Sequence, residues 1–216
     1  MPTMPAKEEP GSSGEMNLSA DQPSITIVDH RGDLILTARK NSFSEEIAFR
    51  VCSNTVFRAS TNLERLSRES TVRLGDQKVV RLRDVNPTAL HTILNILHGH
   101  FAQVFPRFSD KRHLCDVLTF THQFDMTHCL APVAEKWFAE SYDIKRTFNF
   151  EAFATQLWIC HELGYIGCTR ALLRTLLVNA HLNSDGQLSW RSSSGPEREH
   201  RVLRTFEPLG MIGKNI

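Results

Sequence analysis

The hydrophobic pattern changes period partway along the 216 residues, and that change restricts the fold more than any other feature. Up to Arg83 the apolar residues come in short, β-rich runs. Ile25-Thr26-Ile27-Val28 precedes a turn at Asp29-His30-Arg31-Gly32, and Asp33-Leu34-Ile35-Leu36-Thr37 follows, a pattern that predicts a hairpin. Ile47-Ala48-Phe49-Arg50-Val51 is a third strand. Val79-Val80-Arg81-Leu82-Arg83 alternates apolar and charged side chains, as a half-buried fourth strand does. From Asn86 onward the spacing lengthens to a helical repeat: Ala89, Leu90, Ile93, Leu94, Ile96 and Leu97 line one broad apolar face. Strands first and helices later is an α+β order, not the alternation that builds a parallel βαβ sheet.

Local signals set the element ends. Thr61 with Glu64 three residues on predicts a capping box for a short helix carrying Leu63 and Leu66. Pro87 suits the first turn of the next helix, where a missing N–H is harmless, and Gly99 stops that helix. A loop rich in Phe and Pro, Phe101 to Phe108, leads to Ser109, a good N-cap. The following helix buries Leu114, Val117, Leu118, Thr121 and Phe124, and another carries Leu130, Val133, Ala134, Trp137 and Phe138. After a polar connector at 139–148, Phe150, Phe153, Ala154, Leu157 and Trp158 repeat the series up to Gly164, and Cys168 to Leu182 reads as one more helix. The expected organisation is a disordered tail at 1–23, a small sheet of three to five strands capped by helices at 24–140, a helical extension at 141–183 and an irregular segment at 184–216.

With 41% hydrophobic residues the chain can build a substantial core. Its net charge of +1 lacks the basic excess of a protein that lives on phosphate contacts, which argues against direct nucleic-acid binding. The five cysteines (Cys52, Cys115, Cys129, Cys160 and Cys168) are widely spaced, odd in number and contain no C-x-x-C pair, so they read as reduced thiols. No signal-peptide core and no bilayer-spanning apolar run occurs. The expectation is a soluble intracellular protein of cytoplasm, nucleus or both, with no membrane contact.

Ten histidines among these cysteines raise the question of a metal. His91 and His98 share a helix face but are separated by ~10.5 Å of rise, too far to hold one ion, and Cys115 with His122 fails in the same way. His98 with His100, and His128 with Cys129, are local pairs lacking further ligands. Cys160 and His161 point about 100° apart on a helix, which disfavours a thiol–imidazole dyad. No phosphate-binding glycine loop, G-x-S-x-G or H-E-x-x-H occurs, and Gly164-Tyr165-Ile166-Gly167 is a helix-ending turn. No catalytic set, metal or cofactor is expected.

Two segments carry a resemblance. Phe49-Arg50-Val51-Cys52-Ser53-Asn54-Thr55-Val56-Phe57-Arg58-Ala59-Ser60-Thr61-Asn62-Leu63 resembles, without gaps, the strand-to-helix segment of BTB/POZ domains, F-x-V-S-S-x-V-L-x-x-A-S-P-V-F in their fungal branch. Asn86-Pro87-Thr88-Ala89-Leu90-His91-Thr92-Ile93-Leu94-Asn95-Ile96-Leu97-His98-Gly99-His100-Phe101 is similar to the fungal pattern D-P-E-A-L-x-x-L-L-N-I-L-H-G-x-F. Asp33-Leu34-Ile35-Leu36 matches the family's opening strand with its acidic residue, and Gln123-Phe124-Asp125-Met126 stands where the family has a K-Y-D/Q-like helix end. The resemblance covers 33–140, and Leu157 to Leu177 is similar to the helical extension common in that branch.

The resemblance implies a protein-interaction module, an adaptor or scaffold without enzymatic activity. Its partners would be other proteins, with a cullin-type ubiquitin ligase and a second copy of the chain as candidates. An alternative is a nuclear, transcription-associated oligomerisation module acting through DNA-binding partners. The candidate partner interface is His91, Asn95, His98, Phe101, Phe105 and Phe108, the three polar residues forming a stripe opposite the apolar helix face and the phenylalanines an anchor patch. The candidate dimer seam is Asp33, Ser53 and Asn54. Many BTB dimers pair the opening-strand Asp with a basic residue; Ser53 and Asn54 stand there instead, so hydrogen bonds are expected to hold Asp33. Without such a pair, Asp33 either finds another partner or stays solvated, since an unpaired buried carboxylate is costly. The family's Ser-Pro turn is replaced by Ser60-Thr61.

Overall fold

The computed structural model describes residues 25–41, 43–70, 72–104, 111–141, 150–182, 188–190 and 200–201. The fold is α+β. Five strands, β1 (Ile25–Ile27), β2 (Leu34–Arg39), β3 (Ile47–Val51), β4 (Arg73–Leu74) and β5 (Gln77–Arg83), form one sheet in the order β1-β3-β2-β5-β4. The central strand β2 is antiparallel to β3 over five residue pairs and parallel to β5 over six. With both its edges occupied, β2 cannot pair with β1. The hairpin expected between the first two runs therefore does not form, and β1 lies parallel to β3 on its far side.

Gly32 makes this crossing possible. The N–H groups of Val28 and Asp29 both donate to the Arg50 carbonyl, turning the chain over the end of β3, and Asp33 N–H then donates to Val51 O at 3.1 Å. A Cβ at Gly32 would sit 2.7 Å from Val51 O and 2.8 Å from Val51 N, so only glycine permits this approach.

Helices α1 (Ser53–Ala59) and α2 (Thr61–Glu69) separate β3 from β4. The cap of α2 is Ser60, one residue before the expected Thr61: its Oγ accepts from Leu63 N–H at 3.2 Å. The Ser60 hydroxyl also donates to Phe124 O at 2.6 Å, tying the α1–α2 corner to the helical layer. Strand β4 escapes the periodicity reading because two residues are too few to show a period. It folds back on β5 through Gly75-Asp76.

Beyond β5 come α3 (Pro87–Leu97), α4 (Phe101–Val104), α5 (Lys111–Gln123), a 3-10 turn at Thr127–Leu130 and α6 (Ala131–Ser141). Asn86 caps α3, accepting from Thr88 N–H at 3.0 Å, with Pro87 in the first turn. Gly99, at φ +75°, ends it; Gly99 N–H donates to Ile96 O and His100 N–H to Asn95 O, closing the last turn. The same pair of bonds closes α5, but there Asp125 holds the left-handed position, at φ +53°. The first part of the expected Phe-rich loop is thus the short helix α4, while 105–110, including the expected cap Ser109, lies outside the described residues.

The core lies between the helices and one face of the sheet. Leu34, Leu36, Phe49, Val51, Val80 and Leu82 reach it from the strands, and Leu90, Leu94, Leu118 and Trp137 from the helices, all nearly inaccessible. On the other face Ile35, Ala48 and Val79 form a small separate cluster. Helix α7 (Phe150–Glu162) joins the large core through Trp158 and Ile159, and Leu163 follows just past its end. Helix α8 (Ile166–Asn179) packs on α7 and buries no residue fully. It ends before the expected Leu182, because Ala180–Leu182 is strand β6, which pairs with β7 (Leu188–Trp190) and through it with β8 (His200–Arg201). Part of the expected irregular C-terminal segment is therefore a small antiparallel sheet. The first residues of the connector expected at 139–148 belong to α6, and its remainder, 142–148, lies with the tail expected at 1–23 outside the described residues. Among the described residues no helix is long and apolar enough to cross a membrane.

Candidate functional site

The β3–α1 junction brings the two ends of the sequence signal together. β2 begins just after Asp33, and α1 begins at Ser53, two residues past the pairing of Leu34 with Val51. The Asp33 carboxylate therefore faces the first turn of α1. Ser53 N–H donates to Asp33 Oδ1 at 2.8 Å and Ser53 Oγ donates to Oδ2 at 2.7 Å. Helix α1 has no side-chain cap from its own N-cap, Cys52, so Asp33 supplies the acceptor from across the junction. Partial burial pushes the Asp33 carboxyl up, but the two Ser53 hydrogen bonds outweigh it and hold the group below the usual carboxylate range. Asn54 is exposed beside this pair. Asp33 and Ser53 thus form one node, held by hydrogen bonds.

Helix α3 runs into the same junction. His98 Nδ1 donates to Leu94 O at 2.8 Å, which leaves Nε2 as an acceptor for Cys52 N–H at 3.3 Å. The geometry selects the Nδ1–H tautomer, and the ring bridges the end of α3 to the start of α1. Two turns back, His91 stacks on Phe49 of β3, with centroids 5.5 Å apart and planes 20° from parallel.

The stripe of His91, Asn95 and His98 is therefore not an open partner-facing surface. Asn95 is 3% exposed and its Nδ2 donates to His91 O at 2.9 Å, so it cannot meet a partner. The reason is tertiary: α3 has β2 and β3 on one side, α4 and α5 on others and α1 at its end, so its polar side is enclosed as well. His91 and His98 are half-buried, and Phe101 is half-buried against the core. Of this neighbourhood Ala102 and Gln103 are exposed. Phe105 and Phe108 lie outside the described residues.

The other pairs weighed for chemistry resolve into packing. Cys160 is fully buried; burial pushes its thiol up, and Gln156 Nε2 approaches Sγ at 3.7 Å. His161 is exposed, so the neighbours diverge as helical geometry requires. Cys129 Sγ lies 3.3 Å from His128 Nε2, and burial pushes that thiol up too. All five cysteines are free, and among the described residues no group of three or more His, Cys, Asp or Glu could hold a metal ion.

One polar pair had no sequence signal. The Glu162 side chain, 5% exposed, lies with Oε1 3.1 Å from His122 Nδ1 and accepts from Thr127 Oγ1 at 3.3 Å. Two clefts of about 190 and 250 Å³ flank it, the larger walled by Trp158 and Leu173. Forty residues separate Glu162 from His122, so only the packing of α7 on α5 reveals the pair. A second bridge between the same helices is Lys111 Nζ donating to Gln156 Oε1 at 2.9 Å. No protein-family model matches the chain, and no curated protein matches it significantly.

Proposed function

We propose that the chain is a BTB/POZ-type protein-interaction module acting as an adaptor, with a cullin-type ubiquitin ligase scaffold as its partner class. The observation that carries this reading is the Asp33–Ser53 node. Three of the segments that resemble the family meet at one junction of the fold. The opening acidic strand is β2, the strand-to-helix segment is β3 with α1 and α2, and the Asn-Ile-Leu-His-Gly run is the end of α3. Asp33, Ser53 and His98 link all three by hydrogen bonds. Separate segments with a generic strand or helix pattern have no reason to meet this way.

The chemistry of the node favours a different protein as partner over a second copy. Both Asp33 oxygens already accept from Ser53, and no basic residue stands at Ser53 or Asn54 to exchange across a seam. On the α3–α4 side, Ala102 and Gln103 are exposed next to half-buried Phe101, a small mixed apolar and polar corner open to a partner's side chain.

Binding of the full chain to a purified cullin N-terminal region, read by interferometry, tests the proposal. The expected result is saturable binding that Ala102→Arg with Gln103→Arg weakens about tenfold or more while the thermal melt is unchanged. Absence of binding, or binding indifferent to that double variant, contradicts it.

A further inference from the structure

Among the described residues no helix packs on the second face of the sheet, and that face has a distinct chemistry. Strand register and the two-residue alternation put Arg39 of β2, Arg50 of β3 and Arg81 and Arg83 of β5 on it together. Beneath them Ile35, Ala48 and Val79 are buried, while at the β1 edge Ile25 is 40% and Ile27 49% exposed. Arg50 is occupied, its Nε donating to Gly32 O at 2.9 Å. Glu46 lies 4.0 Å from Arg81 Nε and also accepts from Thr37. Arg39 and Arg83 are exposed and, among the described residues, have no ion pair. The face is an apolar strip at one edge followed by a cationic end.

We propose that residues 1–24 of this same chain dock across that face. Three observations lead there, none of which depends on the family reading. The first is charge: residues 1–24 contain Glu8, Glu9, Glu15 and Asp21 against a single lysine, Lys7. The second is the point of attachment. The segment joins the fold at Ile25, and register places Ile25 beside Ala48, at the end of the sheet where Arg39, Arg81 and Arg83 gather. The third is reach. At a strand spacing of about 4.8 Å, Arg39 is two strands from β1, about 10 Å, and Arg83 three strands, about 14 Å. Asp21, four residues before Ile25, reaches up to about 14 Å, and Glu15 much further. Met16 and Leu18, between the acidic residues, supply apolar side chains for the exposed isoleucines. A second copy fits this face poorly, because two such faces would set arginines against arginines. Tethering also gives the segment an effective concentration near the millimolar range, which makes weak pairs sufficient.

Limited digestion of the full chain with a glutamate-specific protease, scored by the rate of cleavage after Glu15, tests this. A free peptide substrate normalises protease activity at each salt concentration. Docking predicts cleavage about threefold or more faster in the variant Arg39→Ser/Arg81→Ser/Arg83→Ser. It predicts the same acceleration for the parent chain at about 1 M salt, where the Debye length falls to about 3 Å. Loss of three exposed arginines elsewhere, Arg58→Ser/Arg170→Ser/Arg174→Ser, leaves the rate unchanged. Glu8→Lys/Glu9→Lys/Asp21→Lys, which leaves the sheet face untouched, also accelerates cleavage, so the outcome does not hang on the fold of one variant. Equal rates in all chains and salts overturn the proposal. Protection that grows with protein concentration overturns it as well, assigning the face to the segment of a second copy.

Discussion

Replacing Asp33 with Ala removes the acceptor for both Ser53 bonds and leaves α1 with no side chain at its first N–H groups. The bonds are short, 2.8 and 2.7 Å, and charge-assisted, but Asp33 is exposed, so water replaces part of what is lost. Removing a side-chain cap costs about 0.5–2 kcal/mol, and solvent exposure puts this site near the middle, about 1 kcal/mol. For a domain of this size that corresponds to a fall in Tm of about 2–4 °C. The sign with pH follows from the depressed carboxyl. A group whose pKa is lower folded than unfolded stabilises above its unfolded value and ceases to as pH falls through its folded value. The gap between parent and Asp33→Ala is therefore full at pH 7, begins to shrink as pH drops below about 4, and is smallest once the folded-state carboxyl is protonated. Urea titrations of both chains at pH 7, 5 and 3 measure this gap. No difference at pH 7, or one that persists undiminished at the lowest pH at which both chains fold, refutes the cap.

Gly32→Ala forces a Cβ to within 2.8 Å of the Val51 backbone; displacing that junction costs at least about 1–3 kcal/mol, read as a lower urea midpoint. Asp125→Gly relieves a left-handed residue at the end of α5 and raises stability by up to about 1 kcal/mol, measured by thermal melting. Glu162→Ala strips His122 and Thr127 of their shared acceptor and costs about 1–3 kcal/mol, with hydrogen exchange at the α5–α7 contact rising more than in the sheet.

Much of the fold is written locally. β5 alternates because one of its sides meets the helices, and Pro87 and Gly99 mark the ends of α3 through backbone requirements that need no neighbours. What the sequence hides is competition between distant segments. Ile25-Thr26-Ile27 reads as a hairpin partner of β2, yet β3 and β5 hold both edges of that strand and displace it. Asn95 reads as a surface residue because amphipathic reasoning assumes one wet side, and the elements packed around α3 close it off at this position; its amide turns to the His91 carbonyl of its own helix. At the candidate site, Asp33 and Ser53 were legible as a unit because the resemblance pairs their positions. The bridge from His98 to Cys52 and the Glu162–His122 pair were not, since 46 and 40 residues separate their members and no local pattern encodes such meetings.

The central claim, that the region from Asp33 to Phe138 is a BTB/POZ-type module whose business is to bind another protein, is tested most directly by quantitative proximity labelling in cells. The full chain, its Ala102→Arg/Gln103→Arg variant and an established BTB adaptor are labelled in parallel. The expected result is a reproducible protein partner enriched with the parent chain and lost with the variant. Recovery of the control adaptor's partners, with none for this chain, contradicts it.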